Sequence, residues 1–127
     1  TKSLKIAYFG ASTGAAAAVV AAGEMPDSIT SVVSRGGRID LAGSAAHKEL
    51  KAPLLMIVGE FDREVLNLNE VFSRDIRVSH SIEVIKGATH LFEEDDALTQ
   101  VAELASHFII EHFSVGKRSD TFVSTNG

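Results

Sequence analysis

Four short apolar segments recur along the chain and predict β-strands. They span Leu4–Phe9, Ile29–Val33, Pro53–Val58 and Ser81–Ile85, and each is rich in β-branched or aromatic residues. Their apolar positions are nearly continuous rather than alternating. Such continuity is typical of strands that are covered on both faces, as in a parallel sheet.

Segments with helical spacing separate these strands. Alanine-rich Gly14–Ala22 stops at a glycine, Glu64–Arg74 carries an apolar stripe, and Asp95–Phe113 has an apolar face made by Leu98, Val101, Ala105, Phe108, Ile109 and His112. The acidic run Glu93–Asp96 is expected to favour the positive end of the third helix dipole. Residues 36–51 predict a loop with one short helix near 44–50.

Alternating strands and helices predict an α/β fold, with about four parallel strands, flanking helices and right-handed crossovers. A chain of 127 residues suits one domain. We assign that domain to residues 1–113. The Ser, Thr, Gly and Lys composition of residues 114–127 predicts a loose polar tail.

Composition removes several classes of function. The chain has no cysteine and a formal charge of −5, and it lacks a basic cluster and an apolar run long enough to span a bilayer. We therefore expect neither nucleic acid nor membrane as a partner, and the lack of a secretory signal favours a cytoplasmic location. Glu103 and His107 have helical spacing but no third ligand, so we expect no metal.

The candidate chemistry starts where the first strand runs into Gly10-Ala11-Ser12-Thr13-Gly14. A G-x-S-x-G sequence between a strand and a helix is the setting of a nucleophile elbow, where small residues allow a sharp turn. Ser12 would project from the carboxyl edge of the sheet. The backbone N–H of Thr13 would then be placed to stabilise an oxyanion.

A base and an acid follow two later strands. Asp62 comes after the third strand and His90 after the fourth. Because the carboxyl ends of parallel strands lie on one edge, we expect Ser12, Asp62 and His90 to converge. Asp40, after the second strand, is a possible substitute acid, but Asp62 is preferred because its loop directly precedes the strand that leads to His90.

Three segments carry a family resemblance. Tyr8–Gly14, Ile57–Asp62 and Lys86–Glu94 resemble the dienelactone hydrolase branch of the α/β-hydrolase superfamily. The likeness covers Leu4–Phe113, which is the carboxyl-terminal half of that fold. It implies hydrolysis of carboxylic esters or lactones without a cofactor, with Ser12 as nucleophile, His90 as general base and Asp62 as its partner. The eponymous enzymes have cysteine in place of Ser12, which shifts the expected substrate from the dienelactone to small esters.

The resemblance also implies missing parts. In a complete α/β-hydrolase the elbow follows the fifth strand, whereas here it follows the first, and the loop with the second oxyanion donor is absent. Loss of one oxyanion donor typically removes about 2.7–4 kcal/mol of transition-state stabilisation, so slow turnover is expected. The edge of Leu4–Phe9 would be bare. We therefore expect association through it, with a second copy as a homo-oligomer or with a missing amino-terminal half.

Other interpretations stay open. Arg35 and Arg38 flank a glycine pair and could hold a substrate carboxylate, although solvated arginines beside a turn are the simpler interpretation. The glycine-rich turn also resembles half of a Rossmann fold, with Arg35 placed to meet the 2′-phosphate of NADP. A third possibility is a catalytically weak remnant that acts in assembly.

Overall fold

Strands and helices alternate along the chain in the computed structural model, which describes residues 5–25, 27–43, 49–113 and 120–126. In chain order the elements are β1 (Lys5–Ala11), α1 (Thr13–Glu24), β2 (Ile29–Arg35), a 3-10 turn (Ile39–Ala42), β3 (Leu54–Gly59), α2 (Arg63–Ser73), β4 (His80–Ile85), α3 (Ala97–His112) and β5 (Asp120–Asn126). The sheet has the order β4-β3-β2-β1-β5, and every neighbouring pair is parallel.

The predicted α/β fold is confirmed. The four predicted strands and three main helices form, with ends within two residues of the predicted ones. The 3-10 turn at Ile39–Ala42 was not predicted. The short helix predicted near 44–50 falls mostly on residues 44–48, which lie outside the described residues.

Two apolar layers cover the sheet, one on each face. Alternate residues of β3 point to opposite faces: Leu54 and Met56 pack with α1, α2 and the 3-10 turn, while Leu55 and Ile57 pack with α3. All residues of β3 are buried. The near-continuous apolar pattern of this strand therefore arises because both of its faces are covered.

Helix α1 lies unusually close to the sheet because its buried face consists mainly of alanine and glycine. A Cβ on Gly10 of β1 would lie 2.7 Å from the Cα of Ala15. Real Cβ atoms do not approach backbone atoms so closely, so the small residues at this crossing are a steric requirement.

The sequence analysis misjudged the burial of two elements. Strand β4 was expected to be covered on both faces, but it is the sheet edge, and Val84 is 46% exposed. Leu98 was assigned to the apolar face of α3. The structure instead buries Ala97, Val101, Ala105 and Ile109, which are spaced by four and form one face of the helix, and it leaves Leu98, rotated from Ala97 by about 100°, 55% exposed.

Part of the predicted loose tail is a strand. Residues 120–126 form β5, which pairs in parallel with the whole length of β1. Residues 114–119 and 127 lie outside the described residues. The edge of β1 is thus covered, and the expected bare edge at Leu4–Phe9 is wrong. Association with a second copy or an amino-terminal half stays a prediction, without that edge as its basis.

None of the helices in the described ranges is both long and apolar enough to cross a bilayer.

Candidate active site

Ser12 occupies a strained turn between β1 and α1. Its backbone has φ 51° and ψ −124°, a conformation that costs a non-glycine residue about 1–3 kcal/mol and survives only where surrounding contacts enforce it. Those contacts come from the end of β2: the N–H of Ser12 donates to the carbonyl of Arg35 at 3.2 Å, and the N–H of Arg38 donates to the carbonyl of Ser12 at 3.1 Å. The predicted sharp elbow therefore forms.

His90 lies on the loop between β4 and α3. Two bonds from the loop after β3 hold the start of this segment. The N–H of Phe61 donates to the carbonyl of Ala88 at 3.0 Å, and the N–H of Gly87 donates to Glu60 Oε1 at 2.8 Å. Ala88 and Phe92 are buried on either side of His90. The imidazole is thus carried between two anchored residues, and its side chain stays 39% exposed.

Asp62 comes directly before α2, at the end of the loop that follows β3. Its side chain makes no capping bond to the helix. Instead the carboxylate points across to the imidazole of His90 and is only 12% exposed.

The structure brings together the three residues that sequence reasoning selected. Ser12 Oγ lies 3.1 Å from His90 Nε2, and His90 Nδ1 lies 2.6 Å from Asp62 Oδ2. Since the carboxylate of Asp62 can only accept, Nδ1 must carry the proton and donate it. Nε2 then has a lone pair and accepts the hydrogen bond from the Ser12 hydroxyl. This tautomer is the one that a general base needs.

Thr13 is the first residue of α1. The backbone N–H groups of the first helical turn have no partner within the helix, and they lie at the positive end of its dipole. The Thr13 amide directly follows Ser12. Its suggested role as an oxyanion donor is therefore compatible with its position and stays a prediction.

The predicted substitute acid, Asp40, has another partner. Both of its carboxylate oxygens accept hydrogen bonds from the guanidinium of Arg38, at 3.0 and 2.9 Å. This hydrogen-bonded cation lowers the pKa of Asp40 below its usual value. Because Arg38 and Asp40 bond each other, the case for Arg38 as a ligand of a substrate carboxylate is weaker. The case for Asp40 as the partner of His90 is weaker for the same reason.

Arg35, unlike Arg38, lies against an aromatic ring. Its guanidinium carbon lies 5.6 Å from the ring centroid of Phe92, within the range of a cation–π contact. The side chain also borders a groove of about 460 Å³ along α3, with Phe9, Leu98, Val101 and Ile110 among its lining residues. Arg35 thus lies on the α3 face of the sheet. Its proposed contact with a substrate carboxylate, or with a 2′-phosphate, remains a prediction.

Sequence reasoning missed two features beside His90. Gly36 has φ +59°, and a Cβ there would lie 3.3 Å from His90 Nδ1. Glu94 was expected to favour the helix dipole, but α3 begins only at Ala97, and Glu94 accepts hydrogen bonds from Thr89 instead. The glycine pair at 36–37 was a visible signal for close approach, whereas no spacing rule pointed from Glu94 to Thr89.

Within the described ranges, no group of three or more histidine, aspartate and glutamate side chains is arranged to hold a metal ion.

Comparisons with known proteins relate this chain to hydrolases of the same fold. A dienelactone hydrolase from Anabaena variabilis superposes with a TM-score of 0.83 and 48% identity, over 87% of this chain and 50% of that one. A monoacylglycerol lipase from Paleococcus ferrophilus superposes with a TM-score of 0.71 and 18% identity, over 86% of this chain and 69% of that one, which is a likeness of fold. No family model matches the chain.

A second similarity is to proteins with a different name. Two Mycobacterium tuberculosis proteins, from different strains and each named "Putative phosphoribosyl transferase", are 50% identical over 112 residues. The match covers 88% of this chain but 25% of those proteins. The chain thus spans about half the length of the Anabaena enzyme and a quarter of the length of its mycobacterial relatives.

Proposed function

We propose that this chain carries a serine hydrolase site for carboxylic esters. The premise is that it has the fold of half an α/β-hydrolase and is similar in structure and sequence to a dienelactone hydrolase. One observation carries the proposal. A strained serine, an imidazole and a carboxylate from three separate loops form a hydrogen-bonded chain, with distances of 3.1 and 2.6 Å. These residues provide a nucleophile, a base and a group that orients the base.

In the proposed reaction, Ser12 Oγ attacks the ester carbonyl while His90 Nε2 takes the hydroxyl proton. Asp62 holds Nδ1–H and stabilises the imidazolium that forms. His90 then returns the proton to the alcohol that leaves, which produces an acyl-Ser12 intermediate. Water attacks the acyl group with His90 again as the base, and the carboxylic acid is released.

Negative charge develops on the carbonyl oxygen during both attacks. The Thr13 amide at the start of α1 is the donor we assign to this oxygen, since it follows Ser12 and shares the positive end of the helix. A second donor is not identified among the described residues. Because one missing donor typically costs about 2.7–4 kcal/mol, we expect turnover about 10²- to 10³-fold below that of an enzyme with both.

The test is hydrolysis of p-nitrophenyl acetate by the chain and by Ser12→Ala. Ser73→Ala is the matched control, since this serine is at the end of α2 and its hydroxyl bonds only the carbonyl of Glu70 among the described residues. We expect Ser12→Ala to abolish activity and labelling by a fluorophosphonate, and Ser73→Ala to retain both. Equal hydrolysis by wild type and Ser12→Ala would remove the proposed mechanism.

The other functions make distinct predictions. A dinucleotide-binding module would gain thermal stability from NADP and would not react with the fluorophosphonate. A catalytically weak remnant would give neither response. The name of the mycobacterial proteins is not proposed for this chain, because three quarters of their length has no counterpart in it.

A further inference from the structure

The loop that carries His90 is closed by a clamp formed between Thr89 and Glu94. The two carboxylate oxygens of Glu94 accept separate hydrogen bonds, from the Thr89 N–H at 3.1 Å and from the Thr89 hydroxyl at 2.7 Å. Hydrogen bonds to an ionised acceptor are about twice as strong as neutral ones. In agreement with this geometry, the Thr89 bonds lower the pKa of Glu94 below its usual value, so the clamp persists at neutral pH.

This clamp acts on the residue directly before His90. The Thr89 carbonyl also accepts a hydrogen bond from the N–H of Phe92 at 3.1 Å, and the carbonyl of Glu94 accepts one from the N–H of Ala97 at 3.0 Å, where α3 begins. Glu94 therefore ties the backbone of the His90 loop to the start of α3. The peptide that bears the imidazole is held from both ends of the same short loop.

The side chain of His90 is held less firmly than the backbone of its loop. This side chain is 39% exposed, and among the described residues its ring nitrogens bond Ser12 and Asp62 alone, the two groups with which it would exchange or share protons. During the reaction one of these bonds must break, since Ser12 becomes acylated. A loop fixed through its backbone keeps Nε2 at the same distance from the reacting atoms in both half-reactions, which is where an error of 1 Å can cost about 100-fold in rate.

We propose that Glu94 is a positioning residue, which holds the His90 loop through Thr89 without touching the substrate. The proposal rests on the serine hydrolase function argued above. Its neighbour Glu93 offers a matched comparison, because it is an exposed carboxylate in the same loop with no hydrogen bond to another described residue. Removal of charge alone should act equally at both positions, whereas loss of the clamp should act only at Glu94.

Four variants separate these effects. Glu94→Ala removes both acceptors. Glu94→Gln can still accept from the Thr89 N–H and donate to its hydroxyl, so it should rescue the geometry without the charge. Thr89→Val removes only the hydroxyl and disturbs the loop less, and Glu93→Ala is the control.

We expect kcat on p-nitrophenyl acetate to fall about 10-fold or more in Glu94→Ala, with KM unchanged, because the position of the base changes and ester binding does not. In Thr89→Val, kcat should fall by a smaller factor. In Glu94→Gln and in Glu93→Ala, kcat should stay within about threefold of the wild-type value. Far-UV circular dichroism and urea unfolding establish that each variant is folded, and Thr89→Val carries the test if Glu94→Ala does not fold.

A readout independent of turnover is the proton NMR signal of His90 Nδ1–H, which is held by Asp62. We expect this signal in wild type, Glu94→Gln and Glu93→Ala, and faster exchange with water in Glu94→Ala. An unchanged signal together with unchanged kcat in Glu94→Ala would overturn the positioning role and leave the serine hydrolase proposal intact. Conversely, inactivity of the wild-type chain would count against the proposed function, while the NMR comparison would still decide the role of Glu94.

Discussion

Substitution of Gly36 by alanine tests whether the residue that follows β2 sets the position of His90, the proposed base. Gly36 has φ +59° and lies beneath the imidazole, where a Cβ would be 3.3 Å from His90 Nδ1 and 3.4 Å from its Cε1. Nδ1 is the atom that bonds Asp62 at 2.6 Å. The new methyl group would therefore press on the ring at the atom that fixes its tautomer and orientation.

Two separate costs follow from the structure. An L-residue in the left-handed region costs about 1–2 kcal/mol, which lowers the melting temperature of a domain of this size by about 4–8 °C. The contact at 3.3 Å is tighter than an ordinary carbon contact of about 3.5–4.0 Å, so the ring must move by a few tenths of an ångström. Since an error of 1 Å costs about 100-fold, we expect kcat to fall about 4- to 10-fold.

Gly43→Ala provides the matched control. Gly43 also has a positive φ, +81°, but a Cβ there meets nothing within 4 Å. Both variants should lose stability in urea unfolding, and Gly43→Ala should lose at least as much, because Gly43 has ψ 174°, a region that only glycine readily populates. Only Gly36→Ala should lose activity on p-nitrophenyl acetate and react more slowly with a fluorophosphonate. Equal kcat in the two folded variants would refute the claim that Gly36 sets the position of His90.

Three further predictions concern the site and its support. Asp62→Asn should lower kcat by about 10⁴-fold without unfolding the protein, because an amide can donate to Nδ1 and so favour the wrong tautomer; a loss below tenfold, measured on p-nitrophenyl acetate, would contradict this role. Asp40→Asn should destabilise the protein at pH 6 and progressively less as the pH falls below 3.8, because Arg38 lowers the pKa of Asp40. The resulting stability is present above the unfolded-state pKa and is lost as the pH falls through the lower folded-state pKa; urea unfolding across this pH range checks it, and a pH-independent difference would exclude the linkage. Gly10→Ala should cost about 3 kcal/mol in urea unfolding because its Cβ would lie 2.7 Å from both the Cα of Ala15 and the carbonyl oxygen of Gly14, and a cost below 1 kcal/mol would show that α1 can move away from β1.

The elements that carry Ser12, Asp62 and His90 could be predicted because each follows from local chemistry. Continuous β-branched runs require burial on both faces, and parallel strands share one carboxyl edge, so residues just after them converge. This topology predicts that the three residues meet at one edge, whereas the distances of 3.1 and 2.6 Å between their side chains required the structure. Asp40 also follows a strand, and Asp62 was preferred because its loop directly precedes the strand that leads to His90; the structure has Asp62 beside His90 and pairs Asp40 with Arg38.

The wrong predictions concern segments whose structure depends on which other elements lie beside them, and the periodicity of a segment's own sequence does not reveal these neighbours. The apolar content of β4 resembles that of a central strand, but nothing in its own residues shows that it lies at an edge. The polar stretch 120–126 has few side chains to bury, yet it pairs through backbone hydrogen bonds, which every residue except proline can form. The acidic run before α3 was assigned to the helix dipole because composition is visible and the Glu94–Thr89 bond is not.

Strand β2 contributes no member of the hydrogen-bonded trio, yet it contacts two of them. The carbonyl of Arg35 at its end holds the N–H of Ser12, and the next residue, Gly36, lies under the ring of His90. The N–H of Gly36 in turn donates to the carbonyl of Ile57 in β3 at 2.7 Å, in the strand that leads to Asp62. Because residues 35 and 36 contact Ser12, His90 and the strand that leads to Asp62, a change at this point should alter both the Ser12–His90 and the His90–Asp62 distance. For this reason the comparison of Gly36→Ala with Gly43→Ala tests the coupling of the site as well as the position of a single imidazole.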